Sequence, residues 1–136
     1  MVVDASVAVK WAVSENGSEA AASLLSQPLV APDLFLAEFG NALAKKVRRR
    51  EIAREQAWQA LEEGRGRVEI IPSAGLLAPA FELSLALHHS IYDCFYVALA
   101  EALDRPVITA DVVLVAKVRE AGMGARILRL GEAVDE

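Results

Sequence analysis

Cysteine is nearly missing from this sequence. Cys94 stands alone, so no intrachain disulfide can form, and a reducing compartment is the expected setting. No run of about 20 mostly apolar residues escapes interruption by charge, which argues against a bilayer span. The opening "MVVDASVAVKWAV" has no cationic stretch ahead of its apolar part and makes a poor signal peptide. A cytoplasmic protein, not a membrane one, is therefore expected. Excess positive charge is also lacking. The net charge is −5, which argues mildly against nucleic acid, because phosphate binding leaves a basic footprint. Glycine and proline are few, 8 and 5, which excludes a disordered low-complexity chain.

What is present is a globular profile, 54% hydrophobic and 24% charged over 136 residues. That length favours one domain over residues 1–136, and a domain of this size buries roughly two-thirds of the surface its unfolded chain exposes. The positive charge is unevenly spread. Eight of the 14 lysines and arginines lie between Lys45 and Arg67, with "KKVRRR" the densest run.

Along the chain, short apolar runs alternate with helical patterns. "MVV" reads as a strand ending at Asp4. "SVAVKWAV" and "SEAAASLL" follow as helical pieces, broken at Asn16-Gly17, with Ser18 as N-cap. "LVAP" is a second strand, and Asp33 is expected to cap the helix "DLFLAEFGNALAKKVRRR". There Leu36, Phe39, Leu43 and Val47 recur at i, i+3, i+7 and i+11, which predicts a buried stripe. "AREQAWQALEEGR" is an amphipathic helix closed by Gly64 and Gly66, and "VEII" is a third strand. "SAGLLAPAFELSLAL" is helical, with Pro79 marking a kink or boundary. "YDCFYVALAEAL" is a helix and "PVIT" a fourth strand. "DVVLVAKVREAG" is a helix ending at Gly122 or Gly124, and "RILRL" is a final strand before a loose tail. The pattern predicts an α/β fold: a short parallel sheet of about five strands, covered on both sides by helices and linked by right-handed crossovers.

In an open α/β sheet, ligands bind beyond the carboxyl ends of the strands. Asp4 ends the first strand, and Asp111 follows the fourth, two residues after Thr109. Glu38 and Asp93 lie near the N-terminal ends of helices. Glu38 stands opposite the apolar stripe, with Asn41 and Lys45 on its side. Asp93 has Tyr96, Val97 and Ala100 as face neighbours, where an ionised carboxylate is costly unless paired or metal-bound. Four converging carboxylates repel one another, and their pKa values rise without a cation. Mg²⁺ and Mn²⁺ favour oxygen ligands, whereas zinc is disfavoured by the lack of a thiol or imidazole cluster. Such a site suits metal-assisted phosphodiester hydrolysis.

Four segments in order carry a family resemblance: "VVDASVAVKW" around Asp4, "APDLFLAEFGNALAKKVRR" around Glu38, "YDCFYVALAEAL" around Asp93 and "PVITADVVL" around Asp111. Together they resemble PIN-domain ribonucleases, and more closely the VapC toxins of toxin–antitoxin pairs. The resemblance implies a Rossmann-like, three-layer PIN fold with the four carboxylates around Mg²⁺ or Mn²⁺. It implies an endoribonuclease that cuts RNA with a metal-activated water, pairs as a homodimer and is held inactive by a small antitoxin protein. It puts Asp4, Glu38, Asp93 and Asp111 at the acidic catalytic positions, Ser6 and Thr109 at the hydroxyls beside them, and Asn41 at a polar position after the Glu. Lys45 and Arg49, on the Glu38 side, are candidate RNA contacts. Many PIN nucleases carry a further acid shortly after the fourth. Here Val112, Val113 and Leu114 follow Asp111, so one tightly held ion is expected, with RNA phosphate completing any second site.

Ordinary roles compete with these, without excluding them. Asp4 reads equally as a turn or cap residue, Glu38 as part of a solvated face, Asp93 as a first-turn acid favouring the helix dipole, and Asp111 as an N-cap. Ser6 and Thr109 read as caps, and the cations from Lys45 to Arg50 as a solvated helix end. His88 and His89 read as polar loop residues, Cys94 as a small core residue, and Trp11 and Trp58 as core or interface anchors. Two other functions stay open: a non-catalytic interaction module that keeps the pocket, and a phosphate-accepting receiver. The second is disfavoured because "RILRLGEAVDE" lacks the lysine expected after the last strand.

Overall fold

Runs of two to four mostly apolar residues are too short to stand as strands alone; here they become strands by pairing with one another under a cover of helices. In the computed structural model, which describes residues 1–132, five such segments form one parallel sheet. They are β1 (Val2–Val3), β2 (Leu29–Pro32), β3 (Val68–Ile71), β4 (Val107–Thr109) and β5 (Ile127–Arg129). Every residue of β1, β2 and β4 is buried. Successive side chains point to opposite faces, so burial of consecutive residues means that the inner strands are covered on both sides. The expected α/β architecture is the one observed. The loose tail expected at the chain end falls on residues 133–136, outside the described residues.

The strand order is β3-β2-β1-β4-β5, with Val2 opposite Val30 on one side and Val107 on the other. From β1 the chain builds outward through β2 to β3, then crosses to β4 and β5. The direction reverses between β1 and β4, the kind of crevice where open α/β sheets bind ligands. Asp4 and Asp111 leave the sheet at this switch.

Among the described residues, seven α-helices flank the sheet: α1 (Ala5–Ala8), α2 (Ser18–Ser23), α3 (Leu34–Arg48), α4 (Arg54–Arg65), α5 (Leu77–Leu87), α6 (Ile91–Leu103) and α7 (Val112–Glu120). Helix α6 packs across β1, β2 and β4 and against α5, while α3 packs on β2, α1 and α4. No helix among the described residues is long and apolar enough to cross a membrane.

Several local expectations need correction. The buried stripe of α3 is Phe35, Phe39 and Leu43, one residue out of the predicted phase at its start; Leu36 is 40% exposed. The Phe35 and Phe39 rings stack, with centroids 5.4 Å apart, which favours the i, i+4 pairing over i, i+3. Gly64 lies inside α4 rather than ending it. A Cβ there would sit 2.5 Å from the Phe39 ring, so the glycine permits the close approach of α3 and α4. Asp33 does not cap α3; its carboxylate accepts from the amide and hydroxyl of Ser73. Ser18 is the first helical residue, with its hydroxyl on the Val13 carbonyl. Pro79 sits in the first turn of α5, where its missing N–H has no helical partner to lose. Trp58 is 62% exposed and no core anchor, whereas Trp11 donates its indole N–H to the Ala21 carbonyl.

Candidate active site

Asp4, Ser6, Glu38, Asn41, Lys45, Asp93 and Asp111 line one open pocket of about 330 Å³ at the β1–β4 switch. Strand β1 delivers Asp4 at its carboxyl end, and Asp111 follows β4 as the N-cap of α7. Glu38 comes from the second turn of α3 and Asp93 from the first turn of α6. Thr109 lies behind the pocket, fully buried at the end of β4. Of the expected residues, Arg49 alone is not brought in; it is exposed at the C-terminal end of α3.

Each carboxylate is held by one oxygen. Asp4 Oδ2 accepts the Ser6 hydroxyl at 2.8 Å and the Thr109 hydroxyl at 2.6 Å. Asp111 Oδ1 accepts the amides of Val113 and Leu114 at 3.0 and 3.2 Å, so its capping role is real and spends one oxygen only. Glu38 Oε1 accepts the Tyr96 hydroxyl at 2.7 Å. Asp93 Oδ2 lies 2.6 Å from His89 Nε2. Among the described residues, the second oxygen of each carboxylate meets no side-chain donor, yet no fully buried side-chain oxygen is left without a partner. Each of those oxygens therefore keeps at least some accessible surface.

Ser6 and Thr109 are also threaded into the backbone. The Ala110 amide donates to Ser6 Oγ at 3.1 Å, and the Asp111 amide donates to Thr109 Oγ1 at 3.1 Å. The two hydroxyls therefore tie the start of α1 to the turn after β4 and do not act as helix caps.

The pocket is short of positive charge. Burial pushes the Asp4 carboxyl up, against the lowering effect of its two hydroxyl donors, and the Asp93 charge adds to the rise. Burial also raises Glu38, opposed by the Tyr96 hydroxyl and assisted by the charges of Asp4 and Asp93. The Tyr96 phenol is itself driven up by burial and by the charges of Asp4 and Glu38, so it stays a donor. Lys45 is the cation on the pocket wall, with no ion pair among the described residues. Its neighbour Lys46 is committed to Glu15 and Glu51, at 3.0 and 3.1 Å. The four carboxylates lining the pocket are hard donors, which suits a divalent cation such as Mg²⁺ or Mn²⁺, but of the four only Asp93 and Asp111 fall, together with His89, in a group of ligand atoms within 4.8 Å of one another.

Two residues join this site that sequence reading did not put there. His89, read as a loop residue, forms with Asp93 and Asp111 the group of ligand atoms lying within 4.8 Å of one another. Its i, i+4 spacing from Asp93 was the available signal, obscured by the helix start at Ser90 between them. Tyr96 was visible as a face neighbour of Asp93, but its bond to Glu38 joins residues 58 apart and has no local signature.

Residues 1–120 match the PIN domain family. Ribonuclease VapC1 of Mycobacterium tuberculosis is 38% identical over 121 residues, spanning 85% of this chain and 88% of that protein. Ribonuclease VapC3 of Pyrobaculum aerophilum is 35% identical over 122 residues, spanning 86% and 93%. Among solved structures, PAE2754 from Pyrobaculum aerophilum superposes with a TM-score of 0.73 at 23% identity, covering 95% of this chain and 82% of that one. A toxin–antitoxin complex from Klebsiella pneumoniae gives 0.64 at 13% identity, covering 97% and 98%. At those identities the two structures speak for the fold alone. The family match and the VapC ribonuclease relatives together establish that this chain belongs to the PIN domain family.

Proposed function

We propose that the protein is a divalent-cation-dependent endoribonuclease, the toxin of a toxin–antitoxin pair, acting as one PIN-like unit over residues 1–136 in the cytoplasm. The observation that carries this reading is the pocket at the β1–β4 switch, where Asp4, Glu38, Asp93 and Asp111 meet in a chain with VapC ribonuclease relatives. These four carboxylates would hold the cation. Bound there, Mg²⁺ or Mn²⁺ offsets negative charge at the phosphoryl group and makes water a better nucleophile near neutral pH.

The remaining work falls to the protein. Ser6 and Thr109 hold Asp4 in one orientation, and Tyr96 does the same for Glu38. Lys45, on the pocket wall, offers its ammonium to an RNA phosphate, and Asn41 offers an amide beside it. Arg49 extends this contact along α3. An antitoxin would cover the pocket, with an arginine among the carboxylates, because a planar guanidinium matches their geometry with paired hydrogen bonds. A second copy of the chain fits the α5 face, where Leu77, Phe81 and Leu85 recur every fourth residue and are 56%, 53% and 57% exposed.

The test is RNA cleavage by the purified chain with Mn²⁺ or Mg²⁺, alongside EDTA-treated protein and the Asp93→Asn variant. Internal cleavage that EDTA and Asp93→Asn both abolish is the expected result. Equal cleavage by the variant, or none by the metal-loaded wild type, overturns the assignment. Mapping the 5′ ends of the products then identifies the bond cut.

A further inference from the structure

The turn between α5 and α6 is more firmly built than a connection needs to be. His88 holds a left-handed φ of 51°, a conformation that non-glycine residues adopt infrequently and mostly where their surroundings demand it. Lys117 of α7 donates from Nζ to the His88 carbonyl at 2.7 Å. Ser84 of α5 donates its hydroxyl to the His89 carbonyl at 2.6 Å and accepts the His89 amide at its own carbonyl at 3.2 Å. Two helices thus fix the backbone on either side of one side chain. That side chain is the His89 imidazole, 11% exposed, with Nε2 at 2.6 Å from Asp93 Oδ2.

We propose that His89 is a positioning residue of the cation site: it holds Asp93 through Oδ2 and so presents Oδ1 to the ion. An ionised carboxylate only accepts hydrogen bonds, so the contact assigns the hydrogen to Nε2. A ring nitrogen that carries a hydrogen has no lone pair to give a metal. With Nε2, the nitrogen that faces Asp93, committed as a donor, His89 acts on the site through Asp93, although its ring is near enough to Asp93 and Asp111 to be taken for a ligand. Asp93 has particular need of such a partner. It is 26% exposed, and it has none of the backbone amides that hold Asp111 nor the paired hydroxyls that hold Asp4. Partners of this kind orient a ligand before the metal arrives, and removing one typically weakens metal binding about 10–100-fold.

This inference rests on the cation-dependent reading above. Its test uses the full chain, stripped of metal, as wild type, His89→Ala and His89→Gln. Mn²⁺ affinity is read by calorimetry, folding by thermal melting without cation, and the Mn²⁺ coordination of the wild type by pulsed EPR. The alanine variant is expected to bind Mn²⁺ about 10–100-fold more weakly. The glutamine variant, whose amide reaches Asp93 as a donor, recovers most of that loss, and the EPR spectrum shows no coupling to a histidine nitrogen. Unchanged affinity in His89→Ala, no recovery in His89→Gln, or a nitrogen coupling overturns the proposal. Should the alanine variant fail to fold, near-wild-type affinity in the glutamine variant beside an uncoupled spectrum supports the proposal, and weak binding overturns it. A wild type that neither binds Mn²⁺ nor cleaves RNA removes the functional reading itself. A wild type that does both beside an unaffected alanine variant removes only the role of His89.

Discussion

Replacing Asp4 with Asn is expected to stabilise the cation-free protein and destabilise the cation-loaded one, relative to wild type. Asp4 is only 6% exposed, yet both of its hydroxyl donors can be kept by the asparagine carbonyl. Burying the charge costs several kcal/mol, and two charge-assisted bonds return about 1.5–3 kcal/mol each. The upward pKa shift says that burial wins. Without cation near pH 7.5, Asp4→Asn should therefore melt higher, by an amount on the order of 1 kcal/mol. For a chain of this length, that is about 3–4 °C. The sign with pH follows from the same shift. Asp4 and Glu38 are protonated more readily folded than unfolded, so their contribution is full below the ordinary carboxylate values of 3.8 and 4.5. It is lost as pH rises through the raised values. The difference between variant and wild type should accordingly vanish towards pH 3.5. Cation reverses the order. At 100 times its dissociation constant, Mn²⁺ adds about 2.7 kcal/mol, roughly 9 °C, to a wild type that binds it. The variant should gain little at the same concentration. Melting curves by differential scanning fluorimetry, with EDTA and with Mn²⁺, read both arms. Equal gains for wild type and Asp4→Asn would refute the placement of Asp4 in a cation site.

Gly64→Ala should destabilise by about 1–3 kcal/mol, because the new Cβ would lie 2.5 Å from Phe39 ring carbons; denaturant melts check this, and no change would mean that α3 and α4 separate freely. Tyr96→Phe removes the hydroxyl that donates to Glu38 and should cost about 0.5–1.5 kcal/mol, with Glu38 rising further in pKa, readable by calorimetry and an RNA-cleavage assay. Cys94 is buried, and its thiol is raised to about 11, chiefly by burial, so it should resist thiol reagents at pH 8 until the protein unfolds. Phe81→Glu should convert any dimer to monomer in sedimentation without lowering the melting temperature of the monomer, since the ring is 53% exposed.

The order and type of the regular elements were legible because short apolar runs alternate with helical patterns and turn residues mark most of the boundaries. The four acids were legible as candidates by their positions at strand ends and near the N-terminal ends of helices. The phase of α3 was less so. Leu36 and Phe35 are equally apolar, and only the stacking of Phe35 on Phe39 and the contact of Phe39 with Gly64 decide which faces inward. Trp58 misled because hydrophobicity alone does not say which large residues are covered. Asp33 and Asp111 occupy the same kind of position, yet Asp111 caps its helix and Asp33 binds Ser73 across 40 residues. By itself, the sequence determined the alternation of strands and helices and the parallel sheet, because local periodicity and turn chemistry act over a few residues, and it offered the four carboxylates as candidates. Only the tertiary structure decided which donors hold each carboxylate. The bonds from Thr109 to Asp4 and from Tyr96 to Glu38 join residues 105 and 58 apart. The bond from His89 to Asp93 depends on a turn clamped from α5 and α7. Such partnerships follow from packing in three dimensions, which leaves no periodic trace along the chain.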